Sequence, residues 1–387
     1  MNKKKRVLTN SILYIISTLL IKGFGFLLLP IYTHYLSPAD YGVINLINGF
    51  NGVATYIIAF SLYSAVIRFY TDYKSDQEKL KRLYSTVIFF ILVSGVSFFS
   101  LSILLKDMVI SVFFEGVKFY PIILIVMFTL TFVTMHTLHQ SILQGMQQGR
   151  KLTLANLSFF FVQVSLNIVF LIVLDYGLSG IVIATFLVNI GYFFYMILDL
   201  MQNNLITFCI DLNILKEALR YSIPLMPHNL STHIATFASR IFINFNGTLA
   251  SVGLYGIAVQ FSIIIDTVQV AVNKAFSPWF YEQMQSNRQN SKKEIVDFSK
   301  FLLLPYSIIY LLIGLFSQEL IILMTEDKYI LSWTVVPILT LAYSIKSIYY
   351  FYVNILFYHK NATNKLFVST ITGSLVDIAL AYPPVLE

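Results

Sequence analysis

The chain has 387 residues, 57% apolar and 12% charged, with 34 Phe, 25 Tyr, a net charge of +7 and a mean hydropathy of +0.75. A soluble domain carries about 25% charged residues, so this composition excludes an ordinary globular protein in water and describes one whose surface faces lipid. The single cysteine, Cys209, excludes an internal disulfide, and no Cys/His cluster has metal-ligand spacing, which makes redox and zinc chemistry poor readings.

Apolar runs of the ~20 residues needed to cross ~30 Å of hydrocarbon occur eleven times in the sequence, near 10–33, 42–66, 83–105, 119–141, 153–174, 178–200, 222–246, 253–278, 300–317, 331–357 and 366–382. The opening MNKKKR precedes a run too long for a signal peptide and without a small-residue cleavage site, so it reads as the start of the first span. That span holds Lys22 about 11 residues from either end, roughly 17 Å at ~1.5 Å per residue, farther than its own side chain reaches. An ionisable group at such depth faces the protein interior or a wet cavity by default; the alternative is snorkelling to the interface.

Polar residues recur at helical spacing in four spans. Ser11, Tyr14, Thr18 and Lys22 lie along one face of the first, and Asn45, Asn48, Gly52 and Thr55 along one face of the second. In the fourth, His136 and His139 stand three apart with no third metal ligand nearby. The seventh carries Asn229, His233, Thr236, Arg240 and Asn244, and the eighth Ser262, Asp266, Gln269 and Asn273. Two further cations lie inside spans: Lys274 near the cytoplasmic end of the eighth, where snorkelling is the favoured reading, and Lys346 in the middle of the tenth. A single polar stripe serves equally as glue between helices or as a cavity wall. Four of them, two holding a cation, favour a polar chamber.

Basic residues fix the expected orientation, because cytoplasmic loops are enriched in Lys and Arg near span ends. With the N-terminus inside, 19 of the 26 fall in cytoplasmic segments, three in outer loops (Lys106, Lys118, Lys328) and four within spans. The positive charge is thus a matter of topology and of contact with anionic membrane lipids, with no nucleic-acid partner. The longest loops, near 201–220 and 279–299, hold no soluble domain, and no GxxxxGK[ST] phosphate loop is present, so no ATPase is built in.

A weak internal repeat relates PADYGVINLI (38–47) to SVGLYGIAVQF (251–261): in each, a Tyr-Gly pair opens a span after an outer turn, and a mid-span cation precedes it. Copies six spans apart share one orientation, which predicts two parallel lobes with the site between them: residues 1–200, a cytoplasmic linker at 201–220, and residues 221–387.

The phrases LLLPIYTHYLSPADYGVINL, YSIPLMPHNLS and SVGLYGIA resemble polysaccharide biosynthesis proteins of the Wzx type, the O-antigen and capsule repeat-unit flippases of the multidrug/oligosaccharidyl-lipid/polysaccharide (MOP) exporter superfamily. The resemblance implies an all-α integral membrane protein with two pseudo-symmetric, MATE-like helical bundles, in which spans 1, 2, 7 and 8 line a central cavity. It also implies a multi-pass location in the bacterial inner membrane with a cytoplasmic N-terminus. The implied substrate is an undecaprenyl-pyrophosphate-linked oligosaccharide, turned from the cytoplasmic to the outer leaflet, with a glycan polymerase and chain-length machinery as further partners. A pyrophosphate in a low-dielectric chamber calls for fixed cations, so Lys22 and Arg240 are the first candidate contacts, then Lys346 and Lys274. Thr18, Asn48, Asn229, Thr236, Gln269 and Asn273 are the candidates for sugar hydroxyls. Asp266 and His233 are candidates for coupling to a proton or sodium gradient, with a salt bridge to a buried cation and an ordinary polar contact as their structural alternatives. No catalytic residue, metal or cofactor is expected. The family is described with twelve to fourteen spans, so the second lobe is expected to lack its final helix.

Three rivals compete with this reading. A multidrug exporter of the same superfamily needs buried carboxylates for cationic drugs, whereas four intramembrane cations here face only Asp266 and Asp377. A lipid II flippase for peptidoglycan shares the charge logic and the fold. A membrane glycosyltransferase or polymerase calls for a sizeable extramembrane loop, and the outer acidic cluster Glu319, Glu326 and Asp327 lies in a short one.

Overall fold

The computed structural model describes residues 3–285, 290–358 and 363–381. Among the described residues the chain is all helical, with no strand. The α-helices, in order, are α1 (Lys3–Leu27), α2 (Leu29–Tyr35), α3 (Pro38–Ala59), α4 (Leu62–Tyr73), α5 (Gln77–Leu104), α6 (Lys106–Phe113), α7 (Leu124–Gly145) and α8 (Gly149–Ile168). They continue as α9 (Gly177–Gln202), α10 (Leu212–Ser222), α11 (Met226–Asn246), α12 (Leu249–Gln285), α13 (Ser291–Leu315), α14 (Ser317–Met324), α15 (Val336–Tyr358) and α16 (Thr363–Ala381).

Each of the eleven apolar runs contains a helix. Among the described residues eight helical stretches are long and apolar enough to cross a membrane, and a ninth forms if the pair bent by 45° between Asp327–Thr334 and Val336–Ile355 counts as one span. Helix α11 is not among them, because Asn229, His233, Thr236, Arg240 and Asn244 interrupt its apolar surface; α16 contributes only the shorter apolar stretch Ile371–Leu380. The 37-residue α12 is about 55 Å long at ~1.5 Å per residue, so it projects beyond the hydrocarbon layer.

The helices form two compact units, one comprising Met1–Ile21, Val43–Thr248 and Ile371–Glu387, the other Lys22–Gly42 and Leu249–Thr370. In the first, α7 is the central helix: Met127, Leu130, Met135, Leu138 and Ile142 are fully buried among α4, α5 and α9. The segment at 201–220 is docked on this unit. Asp211 caps α10 through the backbone N–H groups of Asn213 and Ile214, and its own N–H donates to Thr86 Oγ1 at 2.9 Å. The Tyr73 hydroxyl at the end of α4 donates to Glu217 on α10 at 2.9 Å, and burial followed by that carboxylate pushes the phenol up to about 12.

The second unit is organised around Leu29, Ile257, Phe261, Ile265, Ile313 and Val336, a continuous apolar core. The end of this unit at the α2–α3 turn explains the motif Ser37-Pro38-Ala39-Asp40-Tyr41-Gly42 residue by residue. Ser37 and Asp40 form a reciprocal cap of α3: the Asp40 N–H donates to Ser37 Oγ (3.1 Å), and the Ser37 N–H donates to the Asp40 carboxylate (3.1 Å). Pro38 occupies the first helical position, where no N–H is missed. Tyr41 packs edge-on against Tyr329 (6.1 Å between centroids), whose hydroxyl donates to the Leu36 carbonyl at 3.0 Å. His34 pairs with Glu326 at 2.7 Å, and Lys328 reaches the His34 carbonyl at 3.0 Å.

Gly42 completes the motif by close approach. A Cβ at Gly42 would stand on the Leu249 carbonyl, and a Cβ at Gly253 would stand on the Pro38 carbonyl. The first turns of α3 and α12 therefore cross by a reciprocal contact, Pro38/Gly42 against Leu249/Gly253. The pairing aligns Gly42 with Gly253, three residues before the Gly256 of the Tyr-Gly match seen in sequence. Gly42→Val and Gly253→Val are each expected to cost about 1–3 kcal/mol by overpacking and to lower the melting temperature of the purified protein in detergent. Gly23→Ala, where a Cβ meets nothing within 4 Å, is expected to leave it unchanged.

Candidate functional site

The candidate residues separate into two groups, one in each unit. In the unit built on α12 they form a ladder. The Asp266 carboxylate accepts from Lys346 Nζ at 2.8 Å and from the Tyr350 hydroxyl at 3.2 Å, and the ammonium also stands 5.7 and 5.9 Å from the rings of Tyr343 and Tyr350. One turn on, the buried Gln269 amide donates to the Tyr310 hydroxyl and, at 2.9 Å, to the Tyr343 carbonyl. Asn273 accepts from Asn354 at 2.8 Å, and Ser277 donates to Asn354 at 2.8 Å. Asp266, Gln269 and Asn273 of the α12 stripe are thus met by α13 and α15, Ser262 bonds back to the Ala258 carbonyl of its own helix, and the salt-bridge alternative for Asp266 is the arrangement present.

Lys22 differs from this pattern. Its ammonium, towards the C-terminal end of α1, donates to the Thr267 hydroxyl at 2.9 Å, a neutral partner whose own proton goes to the Ile263 carbonyl at 2.9 Å. Among the described residues no carboxylate lies within ion-pair distance of Lys22, and the side chain is exposed to the space beside the helix. Lys274 is likewise exposed, farther along α12. Thr18 is exposed one turn before Lys22, while the side chains of Ser11 and Tyr14 lie outside the described residues.

In the other unit α3 and α11 bring their stripes together. Gly49 lies against Phe237 and the Arg240 guanidinium, and Gly52 against the His233 ring, whose Nδ1 is 3.0 Å from where a Cβ would be. The Tyr56 ring packs on His233 at 5.1 Å. Two glycines one helical turn apart therefore seat His233 and Arg240 of α11. Asn244 ends the stripe by donating to the Glu115 carbonyl at 2.9 Å. Thr236 is exposed and bonds back to the Thr232 carbonyl, Asn229 is half-buried, and Asn48 lines a small cavity of about 50 Å³ with Asn51, Thr129 and Thr185.

One polar cluster was missed in the sequence. His139, fully buried on α7, bonds Tyr192 at 2.9 Å and Asp199 at 3.1 Å, and the same carboxylate pairs with Lys151 at the start of α8 and accepts from Asn203 at 3.2 Å. His136, the other half of the pair read in sequence, bonds Gln140 at 3.0 Å and stacks on Tyr192 and Phe159. The two histidines belong to an interhelical network. The available signal was Asp199, an acid at the very end of an apolar run.

The helices define an all-helical fold, with eight stretches among the described residues long and apolar enough to cross a membrane. The solved structures it resembles include an inward-facing multidrug resistance MATE family transporter of the MOP superfamily (17% identity, TM-score 0.71, covering 92% of this chain and 85% of the other). A MATE protein in complex with MaD3S is also similar (18%, 0.65, 98% and 88%). A third is a MOP superfamily transporter from Pyrococcus furiosus, described as having a binding pocket of reverse polarity that suggests a different function (16%, 0.56, 98% and 94%). No curated protein matches the chain. The profile of the polysaccharide biosynthesis proteins matches residues 7–284, and the chain belongs to that family.

The Asp266–Lys346 pair gives a direct test of the ladder. Asp266→Asn and Lys346→Met are each expected to destabilise the protein, and the double variant to lose less than the sum, with a coupling of about 0.5–3 kcal/mol in a double-mutant cycle of unfolding in detergent.

Proposed function

We propose that this protein is a flippase that carries an undecaprenyl-pyrophosphate-linked oligosaccharide from the cytoplasmic to the outer leaflet of the bacterial inner membrane, with its N-terminus in the cytoplasm, during surface polysaccharide synthesis. The observation that carries the reading is the state of Lys22: among the described residues its ammonium bonds a hydroxyl and no carboxylate, while Asp266 of the same unit is committed to Lys346. A cation left without a counter-ion within a span is costly, and a translocated pyrophosphate supplies the missing charge. Arg240 offers a second, bidentate anion contact. Asn48, Asn229 and Thr236 offer donors and acceptors to sugar hydroxyls, with the prenyl chain left in lipid, whereas Gln269 and Asn273 are committed within the ladder.

Membership of the polysaccharide biosynthesis family supports this direction. Likeness to a multidrug resistance transporter supports an exporter of drugs, but cationic drugs call for unpaired carboxylates, and the surplus charge here is positive. Asp266 is a candidate for coupling to a proton or sodium gradient, since an elementary charge moved through the membrane draws on ~2.3 kcal/mol per 100 mV. His233, on its glycine seat, is the second titratable group of the scheme.

The test is surface display of the glycan in cells that depend on this protein, with variants inserted at equal levels. Lys22→Gln and Arg240→Gln are expected to reduce display at least about tenfold, the effect of removing a charged partner worth some 1.4 kcal/mol or more, whereas Lys274→Gln leaves it near the native level. Full display by both variants would sink the assignment, and lytic death on depletion would transfer the reading to lipid II.

A further inference from the structure

A cavity of about 980 Å³ lies in the first unit, among α1, α8 and α9. Its wall on α8 is a stripe of Arg150, Leu154, Ser158, Val162 and Leu166, so it runs along about four turns, some 24 Å at ~1.5 Å per residue. The opposite wall is α9, through Leu187, Gly191 and Tyr195. One end is polar and basic, formed by Gln147, Gln148, Arg150 and Lys151; the remainder is apolar. The gradient from cation to hydrocarbon within one groove matches an amphiphile with an anionic head.

The charge at the polar end is not cancelled by the acid behind it. Both Asp199 oxygens are occupied: one by Lys151 and Asn203, the other by His139. Lys151 is held in that network, which leaves the exposed Arg150 as the cation directed to a ligand; among the described residues it makes no ion pair. Leu13 of α1 also lines the apolar part, which is otherwise open. Leu154 and Val162 are 56% and 51% exposed, and a Cβ on Gly191 meets nothing within 4 Å.

We propose that this groove is a binding site for an anionic glycerophospholipid of the cytoplasmic leaflet, with the phosphate on Arg150 and the acyl chains along α8 and α9. Basic pockets between transmembrane helices on the cytoplasmic side suit such headgroups, and the positive-inside distribution places the α7–α8 turn on that side. The bound lipid brackets Lys151, and with it the Asp199–His139–Tyr192 network that ties α7, α8 and α9 together.

The experiment is native mass spectrometry of the full chain released from nanodiscs of equal phosphatidylglycerol and phosphatidylcholine, scoring the lipid retained. The native protein is expected to retain phosphatidylglycerol in preference. Arg150→Gln lowers that retention about fivefold, as expected for one basic contact with an anionic lipid; Gly191→Phe, which fills the apolar part without touching charge, lowers it similarly. Phosphatidylcholine carried at the native level reports that each variant is folded and lipid-accessible. Equal phosphatidylglycerol retention by the native chain and both variants overturns the proposal. Displacement of the lipid by millimolar inorganic phosphate overturns it in favour of a bare anion site, and preferential displacement by undecaprenyl phosphate overturns it in favour of a station for the transported lipid.

Discussion

A polar group inside the hydrocarbon layer has to find its partner within the protein, because lipid offers none. This constraint organises the unit built on α12. Asp266, Gln269, Asn273 and Ser277 step along one face of that helix, and each meets a matching group from α13 or α15. The ladder sets the register of three helices, since sliding α15 by one turn would leave an amide and a carboxylate unanswered. Helix-to-helix attraction in lipid lacks the hydrophobic drive available in water, so such hydrogen bonds and close packing carry the association. Lys22 stands out because its partner is neutral.

Close packing supplies the other half of the association. The first turns of α3 and α12 cross where Gly42 and Gly253 each admit the carbonyl of the opposing helix. Glycine is required at both places for space, not for an unusual backbone angle. The reciprocal geometry relates the beginnings of the two sequence repeats by a local two-fold arrangement. Around the crossing, the Ser37/Asp40 cap, the Tyr41–Tyr329 contact and the His34–Glu326 pair hold the turn against the segment that follows α14. In the other unit Gly49 and Gly52 use the same economy of volume to seat Arg240 and His233.

The functional argument is one of sign and commitment. A cation paired to a carboxylate is part of the scaffold, whereas a cation bonded only to a hydroxyl retains most of its electrostatic demand. Lys346 is of the first kind and Lys22 of the second, a distinction that reorders four residues which composition treats alike. The same reasoning separates Lys151, tied to Asp199, from its neighbour Arg150 at the mouth of the large groove.

Much of this molecule was legible in its sequence, because depth in a membrane is written in one dimension: apolar length marks each span, and Lys and Arg mark its ends. The all-helical fold and the polar faces of α3, α11 and α12 follow from that code. The faces were visible because 3.6 residues per turn converts spacing into direction. What spacing cannot contain is the partner across the interface. That Asp266 meets Lys346, that His139 meets Asp199, that Gly42 pairs with Gly253 and not Gly256, and that an amphiphilic groove opens between α8 and α9 were decided only when the helices packed, since each depends on the rotation and register of two helices distant in the chain.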